Sequence, residues 1–104
     1  MEHLTFSYDG GGPAEARGAV VVGVVASGNL EVMVEPTDGA DCAIEVRTPA
    51  RGFGDVWSAV MADFFERAKI GGVRISINDV GATPAVVSLR LDQAIEEFRA
   101  GRSS

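Results

Sequence analysis

The sequence predicts an α+β fold: a two-layer sandwich with a mostly antiparallel sheet of about five to six strands and two helices. Three observations lead there. Short runs of period-two alternation recur on both sides of residue 50, as half-buried strands require. Between them, one stretch from Phe53 to Ala68 switches to helical period. Clusters of Gly, Pro, Asp and Asn separate the runs. With 104 residues, 46% hydrophobic and 23% charged, the chain has the make-up of one folded domain, read as residues 1–104.

Leu4 to Tyr8 alternates weakly and reads as a first strand, followed by a loop over residues 9–16. Its core, Asp9-Gly10-Gly11-Gly12-Pro13, lacks the Gly-Lys-Ser/Thr and helix start of a phosphate cradle, so it reads as a turn. The second strand, Gly18 to Ala26, is apolar on both faces. That pattern fits a central strand covered on both sides, or an outer face (Val20, Val22, Val24) kept for a partner subunit. Ala26-Ser27-Gly28-Asn29 turns the chain, because Gly and Asn tolerate the positive φ of tight hairpins. The third strand sets Leu30, Val32 and Val34 against Glu31, Met33 and Glu35, and Pro36 ends it before the turn at Thr37-Asp38-Gly39. The fourth places Cys42, Ile44 and Val46 inward, so Cys42 reads as a small buried hydrophobe rather than a reactive thiol.

Phe53, Val56, Trp57, Val60, Met61, Phe64, Phe65 and Ala68 then form one helical stripe, read as the face that packs on the sheet. Asp55 suits the helix start, Arg67 and Lys69 its end, and Gly71-Gly72 stops it. Val73, Ile75 and Ile77 make the inner face of a fifth strand, and Asp79 to Pro84 a turn. Ala85, Val87, Leu89 and Leu91 alternate with Val86, Ser88 and Arg90, which reads as a sixth strand. A short last helix is expected from an N-cap at Asp92, with a frayed tail at 101–104.

Charge and composition narrow the function. The net charge of −6 arises entirely in residues 1–48, which hold eight acids against Arg17 and Arg47; residues 49–104 hold seven of each sign. Such a balance disfavours nucleic acid and suits a basic partner surface or simple solubility. No apolar run approaches the ~20 residues of a membrane span, and no secretory signal is evident, so a cytoplasmic protein is expected. One cysteine excludes an internal disulfide. His3, the only histidine, lies near the start, where a mobile terminus could not orient a serine nucleophile. No Gly-x-Ser-x-Gly elbow and no metal-ligand spacing occurs. From these patterns Ser27 is a turn residue of a non-catalytic module, and Asp79 and Gly81 serve either turn geometry or presentation of the Ser27 tip.

Two stretches add a resemblance. Val24-Val25-Ala26-Ser27-Gly28-Asn29-Leu30-Glu31-Val32 resembles the prosthetic-group site of the malonate decarboxylase acyl carrier (delta) subunit family. Ile77-Asn78-Asp79-Val80-Gly81-Ala82-Thr83-Pro84, continuing to Leu91, is similar to a second signature of that family. The citrate lyase acyl carrier (gamma) subunit is similar more distantly. The resemblance implies a carrier whose serine, here Ser27, is esterified to 2′-(5″-phosphoribosyl)-3′-dephospho-coenzyme A, with Gly28 supporting the turn. It implies that the thiol of that arm holds acetyl or malonyl while partner subunits do the chemistry. Those partners are an acyl transferase exchanging acetyl for malonyl, decarboxylase subunits, a malonyl transferase, and the transferase that attaches the arm. The family pattern has Gly before the serine and Asp after Ser-Gly; this chain has Ala26 and Asn29. The rival expectation is an unmodified structural subunit working through its apolar strand.

Overall fold

The computed structural model describes residues 2–12, 20–22, 30–49 and 51–100. Five strands form one sheet: β1 (Glu2–Tyr8), β2 (Val20–Val22), β3 (Leu30–Pro36), β4 (Cys42–Thr48) and β5 (Val73–Asp79). Their order across the sheet is β1-β4-β5-β3-β2. Helix α1 (Gly54–Ala68) connects β4 to β5, and α2 (Pro84–Arg99) follows β5. The architecture is α+β as expected, but the sheet is mixed. Three pairings are antiparallel, whereas β4 and β5 run parallel. The parallel pair follows from α1: a crossover helix returns the chain to the same end of the sheet, which a hairpin cannot do.

Alternation sorts the strands' residues as expected. Leu30, Val32, Val34, Cys42, Ile44, Val46, Val73, Ile75 and Ile77 form a buried layer under the helices. Met61 and Phe64 of α1 and Leu91, Ala94 and Phe98 of α2 close it from above, all fully buried. At the β1 edge, Tyr8 stacks on Phe65 with ring centroids 5.0 Å apart and planes 13° from parallel. Arg67 at the end of α1 bridges Asp63 and Asp92, so one guanidinium pins the two helices side by side. The opposite face of the sheet is polar: Glu45 of β4 sits within 3.5 Å of both His3 and Arg74 and 3.4 Å from Arg47.

The expected sixth strand is the first half of a helix. Thr83 is the N-cap, its hydroxyl accepting from the Val86 amide at 3.3 Å, and Pro84 occupies the first turn, where its missing N–H costs nothing. Val87, Leu91, Ala94, Ile95 and Phe98 then repeat at helical spacing and are buried. Leu89 shows why alternation misled: it is 65% exposed, on the far side of the helix from Val87 and Leu91. Asp92, expected to cap, lies mid-helix and serves Arg67 instead.

Three further expectations change. Among the described residues β2 is an edge strand, paired with β3 through Val20–Val34, Val21–Met33 and Val22–Val32, so it is not central. The proposed partner face of Val20, Val22 and Val24 lies outside the described side chains. His3 sits within β1 opposite Arg47, rather than on a loose terminus. The α1 stop also lies slightly earlier than the glycine pair, at Lys69, whose φ of 48° turns the chain.

The triple glycine has a structural purpose. Gly12 donates to the Lys69 carbonyl and accepts from the Gly71 amide, both at 2.6 Å, while Gly72 donates to Asp41 at 3.0 Å. Three backbones thus meet beneath the α1–β5 turn. A Cβ on Gly11 would lie 2.6 Å from the Ile70 carbonyl carbon, and one on Gly71 would lie 2.4 Å from the Ala40 oxygen. Gly11→Ala should therefore cost about 1–3 kcal/mol through forced backbone displacement, read as a lower urea midpoint. A second pair of variants tests the helix over residues 84–91. Leu89→Lys should shift stability by no more than about 0.5 kcal/mol, whereas Leu91→Ala should cost about 2–5 kcal/mol.

Candidate functional site

Ser27 and Gly28 lie outside the described residues, but both ends of their hairpin are described. β2 ends at Val22 and β3 begins at Leu30. Leu30 pairs with Asp79, the last residue of β5, so the turn at Asp79 and the root of the Ser27 hairpin share one end of the sheet. Ser27 lies three positions before Leu30, a reach of at most about 11 Å.

This end is built around the Asp79 carboxylate. Asp79 is buried, one of two buried polar residues among those described. Its Oδ1 accepts from the Gly81 amide at 3.0 Å and the Ala82 amide at 2.8 Å. Its Oδ2 accepts from the Thr48 hydroxyl at 2.7 Å. The first two bonds make an Asx turn, and Gly81 takes the φ of 107° that such a reversal demands. Both readings of Asp79 and Gly81 therefore meet in one place: local turn geometry, located beside the hairpin root. Thr48 was not singled out from the sequence. Its signal was there, a polar residue two positions beyond Val46 on the inward side of a strand.

The N-terminal turns of both helices open at the same end. Phe53, Val56, Trp57 and Val60 of the α1 region face Asp79, Gly81, Ala82 and Pro84 across a groove of about 370 Å³. The helical stripe read wholly as core divides here. Met61 and Phe64 are sealed and Trp57 is 6% exposed, but Phe53 is 52% and Val56 43% exposed. Phe53 offers no side-chain cap, in contrast to Thr83 of α2.

The remaining candidates stand apart from this end or are inert. Cys42 is fully buried, and burial pushes its thiol from the ordinary value of 9.0 to about 11. Burial also raises the neighbouring Tyr8 phenol, with a smaller contribution from Cys42. His3 lies on β1, three strand spacings from β3, roughly 14 Å across the sheet. Among the described residues no group of three His, Cys, Asp or Glu side chains could hold a metal ion, and no helix is long and apolar enough to cross a membrane.

Comparison with known proteins decides the family. The family model of the malonate decarboxylase delta subunit (MdcD) matches residues 17–98, which include both signature stretches. The chain belongs to the malonate decarboxylase delta-subunit family. Within that family its role is to carry acyl groups for the decarboxylase complex, and it is not the catalyst. It is 59% identical over 97 residues to the malonate decarboxylase acyl carrier protein of Burkholderia cepacia, covering 93% of this chain and 90% of that one. The corresponding protein of Stenotrophomonas maltophilia strain K279a is 56% identical over 104 residues, covering 97% of each chain. Among solved structures, a chain of a Pseudomonas malonate decarboxylase hetero-tetramer in complex with malonate superposes with a TM-score of 0.83 at 40% identity, covering 94% of this chain and 99% of that one.

The Asp79 end and the buried Cys42, at the opposite end of the sheet, each generate a prediction. Asp79→Ala removes the carboxylate that accepts from the Thr48 hydroxyl and from the Gly81 and Ala82 amides, and should cost about 2–3 kcal/mol in chemical denaturation. For Cys42 the sign follows from its raised value. Below pH 9 folded and unfolded chains both hold the thiol proton. Above it the unfolded chain loses that proton first, so stability falls as the pH rises from 9 toward 11. A Cys42→Ala variant, though less stable overall, should show a shallower decline of Tm across that window.

Proposed function

We propose that the chain carries acetyl and malonyl groups on a 2′-(5″-phosphoribosyl)-3′-dephospho-coenzyme A arm joined to the Ser27 hydroxyl, with Gly28 letting the hairpin backbone approach the bulky nucleotide. The observation that carries this reading is the Leu30–Asp79 pairing, which roots the Ser27 hairpin at the end of the sheet where both helices start. Helix N-termini favour phosphate, and the first turn of α1 has no side-chain cap competing for its amides. An apolar groove opens at the same end and offers a surface for the uncharged part of such an arm.

When bound, the group supplies a thiol at the end of a long flexible tether, and the chain supplies everything that fixes its base. Attachment would join the Ser27 oxygen to the phosphorus of an activated phosphoribosyl donor: the hydroxyl proton passes to the attaching transferase, and the donor's bond to its diphosphate leaving group breaks. The Asp79 turn holds the strand end from which the hairpin leaves. A rigid base with a mobile arm raises the local concentration of cargo at successive partner active sites. The partners are the acyl transferase, decarboxylase and malonyl transferase activities of a cytoplasmic complex, together with the attaching transferase. The solved Pseudomonas relative, found within a malonate decarboxylase hetero-tetramer, supports such an assembly. The acidic excess in residues 1–48, the half that holds the hairpin, suits docking on basic partner surfaces.

Intact-mass measurement of the protein from its native host tests the attachment. The expected result is an increment equal to the phosphoribosyl-dephospho-coenzyme A group, lost in Ser27→Ala while the fold is kept. An unmodified native protein inside an active complex would overturn the assignment.

A further inference from the structure

The groove between α1 and the Asp79 turn is an unexplained feature in a small acidic domain. Its lining combines Phe53, Val56, Trp57 and Val60 with Gly81, Ala82 and Pro84, and the largely buried Asp79 contributes to its wall. Phe53 and Val56 leave about half of their surface in water, a standing cost for large apolar side chains with no covering element among the described residues. Among the described residues no basic side chain lines it, so it does not suit an acidic peptide or a free phosphate. Its volume is that of a small-molecule site. A tether rooted within about 11 Å of Leu30 starts beside this groove, because Leu30 pairs with the Asp79 that forms part of its wall.

We infer that this groove is the resting site of the arm's uncharged end: the pantetheine chain with its thiol bare or carrying acetyl. The inference rests on the attachment at Ser27 proposed above. Apolar contacts with Phe53, Val56 and the exposed rim of Trp57 hold the chain, and the groove withdraws the thiol from water and from competing thiols between transfers. Malonyl differs from acetyl by a carboxylate, and this lining offers that charge the Asp79 carboxylate and no cation. The malonyl form is therefore bound less well and remains available to a decarboxylating partner. The groove thus acts as a sorting device in the carrier itself, favouring release of the form that must travel to be decarboxylated.

The test uses full-length protein in three forms, apo, acetyl-loaded and malonyl-loaded, each verified by intact mass and followed by NMR of the Trp57 indole N–H and the Val56 and Val60 methyls. Acetyl loading should shift these resonances, malonyl loading should shift them less, and Val56→Glu should abolish the shifts while the mass increment persists. Val56 is exposed enough for that variant to fold, which the unchanged resonances of the Ile44 and Ile75 methyls would verify. Loaded protein whose groove resonances match the apo form would overturn the inference and leave the Ser27 attachment standing. Equal shifts for the two cargoes would overturn the sorting role. Shifts that arise only when partner subunits are added would reassign the groove to a protein interface. A chain that never gains mass fails the attachment instead, and the mass spectrum separates that outcome from the others.

Discussion

A largely buried carboxylate must find donors, and the donors available to Asp79 determine the layout of one end of this molecule. Thr48 reaches it from β4, and the amides of Gly81 and Ala82 reach it from the chain just beyond β5. The first bond ties two parallel strands at their common end. The other two fold the chain back sharply enough for Thr83 to cap α2 and Pro84 to enter its first turn. The same residue pairs with Leu30, so the hairpin carrying Ser27 inherits its anchor. Charged hydrogen bonds in a buried setting are stronger than neutral ones and costly to leave unmade, which makes this a fixed point rather than an adjustable one.

The far end of the sheet is secured differently, by close approach of backbones. Gly11, Gly12, Gly71 and Gly72 bring the β1 exit, the β3–β4 connection and the α1–β5 turn into mutual hydrogen bonds that a side chain would force apart. A carrier gains from this division. The end opposite the hairpin is locked by main-chain bonds. The hairpin end has a firm floor at Asp79 but keeps an open apolar groove above it. Stiffness at the Asp79 end and space beside it suit the attachment proposed above for a carrier.

Much of this was legible in the residues. Strict alternation in β3, β4 and β5 identified the buried layer residue by residue, because one wet face and one dry face leave no other arrangement. The helical stripe of α1 was equally plain. Three features were not legible. The parallel β4–β5 pair depends on where α1 returns the chain, which periodicity along one strand does not encode. The division of the α1 stripe into a sealed part and an open part depends on which elements cover each turn of the helix. The role of Thr48 needed a partner 31 residues away. In each case the missing information concerns which elements are neighbours, whereas the sequence pattern speaks mainly of which face is dry.

The misreading of residues 85–91 is instructive because both periods fit them. Ala85, Val87, Leu89 and Leu91 alternate, yet Val87 and Leu91 are also four apart, and extending the window to Ala94, Ile95 and Phe98 favours the helix. The decisive local signal was chemical: Thr83-Pro84 is a cap followed by a first-turn proline, and a proline at that point is a poor opening for an interior strand. With that corrected, the second signature stretch, Ile77 to Leu91, becomes a single mechanical unit made of a strand end, an Asx turn, a cap and two helical turns. The first signature stretch joins it through one pairing, Leu30 with Asp79. Two motifs separated by more than forty residues in the chain thus build one end of one sheet. The turn geometry expected of Asp79 is thus met, and it lies at the strand end that stands in register with the start of β3.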